Sequence, residues 1–463
     1  MPQCLGRESA ELSSLRHFTI RHPDRMNRMR LRLERYFEFH RVGTTWRTEI
    51  LAGATTFVTM AYIVFVNPSV LREAGMPFQA VVAATCLCAA FGSILMGAFA
   101  RYPIALAPGM GLNAYFTYTV VKGLGVPWPT ALGAVFLSGV AFLILTVAGI
   151  RQLIVEAIPS ELYAAVAAGI GLFIALVGLR NAGIVVANAS TLVALGNLRD
   201  KNAALALFGL GLTAALMAWR VRAAMLLGIV GTTLAGAAVG LAKLSPERYH
   251  ASDILATAGK LDIRGALHIG LAQVVFIFLF VDLFDNLGTL VGVGKKAGLF
   301  DKANRIPRLP RILLCDAAAT IVGSLAGTST VTSYIESAAG VAAGGRTGVT
   351  AIVTGLLFIV ALFVAPLIGA VPSAATAPAL ILVGSLMLSH AAEIKWDQPV
   401  SAIPAFLTML TIPLTFSIAT GLSFGFTAFA VLKLVRGEFS RKDWVVYLLA
   451  AIFIARFIYL GSI

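Results

Sequence analysis

Four carboxylates stand inside long apolar runs of this chain. Asp282 and Asp285 lie in Val281-Asp-Leu-Phe-Asp-Asn-Leu-Gly-Thr289, Asp316 in the next run, and Glu336 just after Gly327-Thr-Ser-Thr-Val-Thr-Ser-Tyr334. An ionisable group surrounded by hydrocarbon is expensive, and it usually marks a pathway for a solute or a proton. Asp282 and Asp285 are at i,i+3, neighbouring positions on a helix. Two negative charges that close do not both persist in a dry site, so Asp282 also suits a structural hydrogen-bonding role. Asp316 lies five residues from Arg311, about 7.5 Å along a helix, which suits an ion pair near the membrane surface. Glu336 is different, because six of the eight residues in the run before it carry hydroxyls. Lipid would not tolerate that face, so Thr330 and its neighbours must line protein or water. A carboxylate there can accept N–H bonds from a polar solute and exchange a proton.

Polar groups elsewhere could complete such a site. Asn113, in Met110-Gly-Leu-Asn-Ala-Tyr115, offers both donor and acceptor groups, and it would serve equally as an interhelical hydrogen bond. Gly109 and Gly111 can leave backbone N–H groups free to bind a solute, or simply let helices approach closely. Thr289 follows the two acids by less than two turns. Phe57, Tyr115, Phe116 and Tyr334 could stack on a planar ligand, or could be packing. Walker loops, zinc ligand sets and nucleophile–base pairs are not found in a convincing context. The four cysteines, Cys4, Cys86, Cys88 and Cys315, supply no metal or redox pair. The expected protein is therefore not an enzyme and needs no cofactor, with energy drawn from an ion gradient.

The elements that must hold these groups follow from composition. Of 463 residues, 58% are hydrophobic and 13% charged, with a mean hydropathy of +0.87. Soluble chains carry about 25% charged residues, so the expected solvent is lipid. Soluble enzymes, disordered regulators and disulfide-rich secreted proteins are excluded. A bilayer core needs roughly 20 apolar residues per helix. Spans are expected near 50–71, 79–100, 103–121, 129–150, 159–179, 202–219 and 223–242. They resume near 271–293, 311–326, 328–342, 348–369, 372–390, 398–415 and 417–435. The expected organisation is a basic N-terminal segment (1–48), a first repeat (49–242), an outer loop (243–270), a second repeat (271–436) and a C-terminal segment (437–463) that either lies at the interface or adds a helix. No cleaved signal is visible, and Met26 and Met29 are alternative starts.

The net charge of +14 supports this topology better than it supports nucleic-acid binding. With the N-terminus inside, 26 basic residues fall on the cytoplasmic side and nine outside, Arg456 being unassigned, as the positive-inside rule requires. Seven helices is an odd number, so the second repeat must enter from the opposite face. Echoes of that inversion are Ala107–Tyr115 against Ala326–Tyr334, and Ile158-Pro-Ser160 against Val371-Pro-Ser373. The third and tenth spans, rich in Gly, Pro and hydroxyls, are expected to be broken, and broken helices in matching positions point to a transporter's central site.

Three long motifs resemble a known family: Ala105–Phe116, Phe280–Leu290 and Gly327–Gly340, supported by Gly344–Gly348, Ala377–Leu380 and Ile403–Phe406. They look like the azaguanine-resistance (AzgA-type) purine permeases of the nucleobase–ascorbate transporter superfamily, over roughly residues 44–437. The resemblance implies a uracil-permease-like, all-α fold of fourteen helices in two inverted repeats. Helices one to four and eight to eleven would form a core, and the rest a gate that supports a homodimer. It implies import of adenine, guanine or hypoxanthine with protons across the cell membrane. It favours Asp285, in Asp285-Asn-Leu-Gly288, over Asp282 as the nucleobase contact and matches Glu336 to the second contact. Asp285, Glu336 and Asp282 remain candidates for the coupled proton. The chain departs from the family's usual Thr after the second acid by carrying Asn286, which bears on the preferred purine. An anion carrier on the same architecture is the alternative, which should lack central acids. A channel or receptor would need a continuous polar stripe or a soluble signalling domain.

Overall fold

The computed structural model describes residues 25–149, 158–242, 255–268, 272–298, 300, 306–363, 368–438 and 444–460. Cys4 and several of the basic residues counted above lie outside the described residues, as does half of the 243–270 loop. The chain divides into two units, Met1–Gly43 and Thr44–Ile463. In the first, α1 (Arg25–Tyr36) and α2 (Phe39–Val42) are short and basic, with Arg30 paired to Glu34 one turn on at 2.9 Å.

The second unit holds the membrane region. Its first half contains α3 (Trp46–Met60), α4 (Ile63–Arg72), α5 (Phe78–Leu95, prolonged through Ala100), strand β1 (Leu106–Pro108), α6 (Met110–Ala114, prolonged through Gly123) and α7 (Trp128–Val147). Then follow α8 (Ser160–Asn181), the hairpin β2 (Val185–Asn188) and β3 (Leu192–Leu195), α9 (Lys201–Ala218) and α10 (Ala224–Ala238). The second half contains α11 (Ile263–Ala266), α12 (Ala272–Ala297), α13 (Leu309–Ala326), β4 (Val331–Ser333), α14 (Ser337–Ala342), α15 (Gly348–Leu362), α16 (Ser373–Leu388), α17 (Pro399–Thr415), α18 (Ile418–Val435) and α19 (Trp444–Leu460). Among the described residues, nine helical runs are long and apolar enough to cross a membrane, α3 and α4 counting as one run. Three shorter apolar helices, α10, α15 and α17, and the two broken segments complete the fourteen expected.

The helices sort into two packing groups. In one, α15 lies against α3 and α5, α13 against α5 and α7, and α14 against α3. In the other, α8 lies against α16 and α17, α17 against α18, and α9 and α10 against each other and α16. These are the expected core and gate. Small residues let the gate helices close up: a methyl group on Gly171 would come within 2.7 Å of the Gly384 carbonyl oxygen.

The third and tenth segments are broken as their composition implies. Each begins as a short strand, and β1 pairs antiparallel with β4 through Leu106↔Ser333, Ala107↔Thr332 and Pro108↔Val331. Bonds from Gly109 N to Thr330 O (2.9 Å) and Tyr334 N to Ala105 O (3.0 Å) extend the ladder. The two strands thus satisfy each other's backbone in the interior, which hydrocarbon could not do. The pairing also corrects the residue-level echo. It centres the local twofold on Ala107 and Thr332, so the match of Ala107 to Ala326 is six positions out. Small and hydroxylated residues are alike enough for the wrong register to look plausible. The second echo falls in place, because Pro159 and Pro372 both stand just before a helix, at the starts of α8 and α16.

The C-terminal helix α19 packs along α18 through Val445, Val446, Leu449, Ala450 and Phe453. Its Phe453 ring lies 6.0 Å from Phe426 and 6.1 Å from Phe276. One face of α19 is therefore built into the bundle.

Candidate functional site

A cavity of about 340 Å³ lies where the two strands, α12, α8 and α16 meet. The third and tenth segments contribute Gly109, Gly111 and Thr332 to Glu336, and α12 contributes Phe284, Asp285, Gly288 and Thr289. The opposite wall comes from the gate: Ser160 and Tyr163 of α8, and Val383 and Met387 of α16 with His390 and Glu393 just beyond it. The two carboxylates expected to face a solute do share this space.

Each carboxylate is held by a hydroxyl from another element. Tyr62 Oη donates to Glu336 Oε1 at 2.6 Å, and Thr332 Oγ1 donates to Asp285 Oδ2 at 3.3 Å. Tyr62 occupies the interruption between α3 and α4. In the helix that follows, Pro68 cannot supply the backbone N–H that an unbroken helix needs. Tyr334 Oη reaches back to the Pro108 carbonyl at 2.5 Å and Ser337 Oγ accepts from Ala105 N at 3.0 Å, so the two broken segments lock each other. At Gly109 a Cβ would sit 3.0 Å from Thr332 Oγ1 and 3.6 Å from Asp285 Oδ2. Glycine there keeps the space in front of the acid open. At Gly111 a Cβ would come within 2.5 Å of Ile170 Cγ2 on α8. Close approach of core to gate is thus its visible consequence.

The remaining expected residues are placed elsewhere. Asp282 is 2% exposed and Asp316 fully buried, and neither lines the cavity. Asn113 and Thr330 do not line it either. Asn113 belongs to a buried polar network: its Nδ2 donates to Asn67 Oδ1 at 2.5 Å, and its Oδ1 accepts from Ser329 Oγ. Asn67 in turn donates to Thr85 (2.7 Å) and Thr328 (3.0 Å). The interhelical reading of Asn113 is what this geometry displays. Among the aromatics, Tyr334 reaches the cavity, whereas Phe57 packs edge-on against Phe358 and Tyr115 against Phe278, each at 5.1 Å.

Several residues carried no usable sequence signal. Tyr62 and Tyr163 read as ordinary apolar-run aromatics, although Tyr163 lies 4.4 Å from Phe284 at the cavity wall. Phe284 had one cue, its place beside Asp285. His390 and Glu393 fall at a span end, where charge is unremarked. Glu49 stands one residue before the expected first span and is fully buried. It accepts from Thr350 Oγ1 (2.6 Å), Thr44 Oγ1 (2.8 Å), Arg346 N (3.0 Å) and Thr347 N (3.3 Å), tying α3 to the Gly344–Gly348 turn.

An inverted-repeat bundle whose two broken segments face a central cavity that holds two carboxylates defines an integral membrane transporter. The chain belongs to the permease family, whose sequence model matches residues 47–424. It is 45% identical over 430 residues to the adenine permease AdeP of Escherichia coli K12, covering 93% of this chain and 97% of that one. It is 46% identical over 440 residues to the guanine/hypoxanthine permease PbuG of Bacillus subtilis 168, covering 92% and 100%. In fold it is similar to the transmembrane domain of a cyanobacterium bicarbonate transporter, BicA. That likeness has a TM-score of 0.63 at 13% identity and covers 82% of this chain and 98% of that one.

Proposed function

We propose that this permease imports purine nucleobases (adenine, guanine or hypoxanthine) across the cell membrane together with protons, by alternating access. The observation that carries the reading is the pair of carboxylates, Asp285 and Glu336, on different elements around one cavity of about 340 Å³. A neutral purine presents N–H donors on its edges, and carboxylates are acceptors. In this reading Asp285 and Glu336 accept those N–H groups, Thr289 and the Gly109 and Gly111 backbone complete the wall, and Tyr334 and Phe284 take the ring faces. Thr332 and Tyr62 keep the acids in place. The coupled proton resides on Asp285 or Glu336, with Asp282 as a further candidate, and no cofactor is required. Relatives named adenine and guanine/hypoxanthine permeases support the substrate class.

The 26-to-nine division of basic residues supports a cytoplasmic N-terminus. That orientation puts the starts of α8 and α17 and the end of α16 on the cytoplasmic side. Ser160 and Glu393, both exposed and both on the cavity rim, then give it a cytoplasmic mouth, an inward-facing arrangement. The apolar outer face of the gate suits a homodimer. An anion carrier on this fold is disfavoured, because two carboxylates would repel its substrate.

Competitive uptake of labelled adenine, guanine, hypoxanthine and uracil, with and without a protonophore, tests the reading. Purines should compete, uracil should not, and collapse of the gradient should abolish accumulation. Undiminished accumulation without a gradient would refute proton symport. Asp285→Asn and Glu336→Gln should each abolish or reshape purine uptake at normal membrane abundance.

A further inference from the structure

The gate wall of the cavity carries titratable groups of its own, and the symport chemistry above leaves them unused. His390 and Glu393 follow the end of α16, with their side chains on the cavity that Asp285 and Glu336 face from the core. His390 is half-buried and Glu393 exposed, so the pair steps from the interior to the rim. The His390 ring is within electrostatic reach of Asp285. Its Nδ1 lies 2.9 Å from the Met387 carbonyl oxygen. A carbonyl can only accept, so Nδ1 carries the hydrogen, and Nε2 of the neutral ring is the nitrogen with a lone pair to offer.

We propose that His390 is a proton-relay residue that carries the coupled proton from the core acids to the cytoplasm, with Glu393 as its outlet. The proposal rests on the proton-symport reading. A carboxylic acid of the core wall gives its proton to Nε2 across the shared cavity, through water, leaving a carboxylate and an imidazolium. The imidazolium then returns its Nε2 proton to the Glu393 carboxylate or to water at the rim. Nothing is oxidised or reduced, and the imidazole ends as it began. The groups that face this path are Asp285 on α12, Glu336 and Tyr334 of the tenth segment, Tyr62 between α3 and α4, and Tyr163 on α8. At the rim, Glu161 is already occupied by Lys395 at 2.7 Å.

The placement on the gate matters. The donors belong to the core and the relay to the gate, so the path exists only while the core acids face this end of α16. Movement of the core toward the other face separates the two and interrupts the path. Coupling then follows from geometry: the proton has a route inward in one state, and that route is withdrawn in the other.

The test uses the full-length protein reconstituted in liposomes, with labelled purine as probe. Net accumulation driven by a pH gradient is compared with purine–purine exchange at equal pH, which needs no net proton release. His390→Gln keeps a hydrogen-bonding side chain but cannot titrate. It should lower gradient-driven accumulation by at least about tenfold, since loss of a positioned proton-transfer group typically costs 10²–10⁴-fold in that step, and should leave exchange within about twofold. Glu393→Gln should produce a smaller loss of the same kind, because water can replace it at the rim. Wild-type gradient-driven accumulation in His390→Gln would overturn the relay. So would equal loss of exchange and accumulation, which would make His390 a structural or purine-contacting residue. If wild-type uptake itself ignores the gradient, the symport reading fails and the relay with it, a result read before any variant is compared.

Discussion

Tyr62 and Gly111 show how much of the site depends on groups that do no chemistry themselves. The Tyr62 hydroxyl is the partner of Glu336 at 2.6 Å, and a hydrogen bond to a charged group contributes about 1.5–3 kcal/mol. Tyr62→Phe keeps the ring in its buried place and removes only that bond. Purine affinity in uptake assays should weaken by roughly tenfold or more, with membrane abundance unchanged. At Gly111 the conflict is steric. Gly111→Ala would put a methyl carbon 2.5 Å from Ile170 Cγ2, and a β-branched side chain has little freedom to turn aside. Uptake should fall, and Ile170→Ala in the same protein should restore much of it. Failure of that rescue would show that Gly111 matters for something other than the core–gate approach.

The broken segments are held by elements that span both halves. Asn113 on α6, Asn67 on α4 and Ser329 ahead of β4 form one buried network, and stranding a buried polar partner costs about 1–3 kcal/mol. Asn113→Ala should therefore lower the thermal stability of the purified protein by several degrees. Purine affinity of the folded fraction should change little. The opposite pattern, normal stability with lost affinity, would restore Asn113 to the role of a direct purine contact. Glu49 makes the same kind of element-level connection from α3 to the turn before α15. With four donors converging on it, Glu49→Ala should reduce the amount of folded protein recovered in detergent more than Asn113→Ala does.

At the scale of the whole molecule, the core and gate also meet beyond the cavity, where α6 ends. Thr119 Oγ1 donates to the Phe416 carbonyl at 2.6 Å, and Asn181 Nδ2 donates to Tyr118 Oη at 3.3 Å. Both bonds join the groups at the end opposite the cavity mouth, so both must break if the mouth is to close and the far side open. A cysteine pair at Tyr118 and Asn181 should cross-link under mild oxidation and stop net uptake, with activity returning on reduction. A cysteine at Ser160 should stay reactive from the mouth side in the cross-linked protein. Uptake that survives efficient cross-linking would rule out the core–gate movement.

The choice of Asp285 over Asp282 came from the family resemblance; the amino-acid sequence by itself determined the solvent, the number and order of spans, the broken third and tenth segments, and the four carboxylates to watch. These follow from local physics, since a charge or a run of hydroxyls in hydrocarbon must be accounted for wherever the chain goes. The tertiary structure decided which polar groups meet. Asn113 and Asp285 look alike as buried polar residues in apolar runs, yet one braces helices and the other faces the cavity. Tyr62 and Glu49 gained their partners from elements far along the chain, and the strand register corrected an echo that similar small residues had blurred. Burial cost can be read residue by residue, whereas the partner that offsets it is fixed only when distant segments pack.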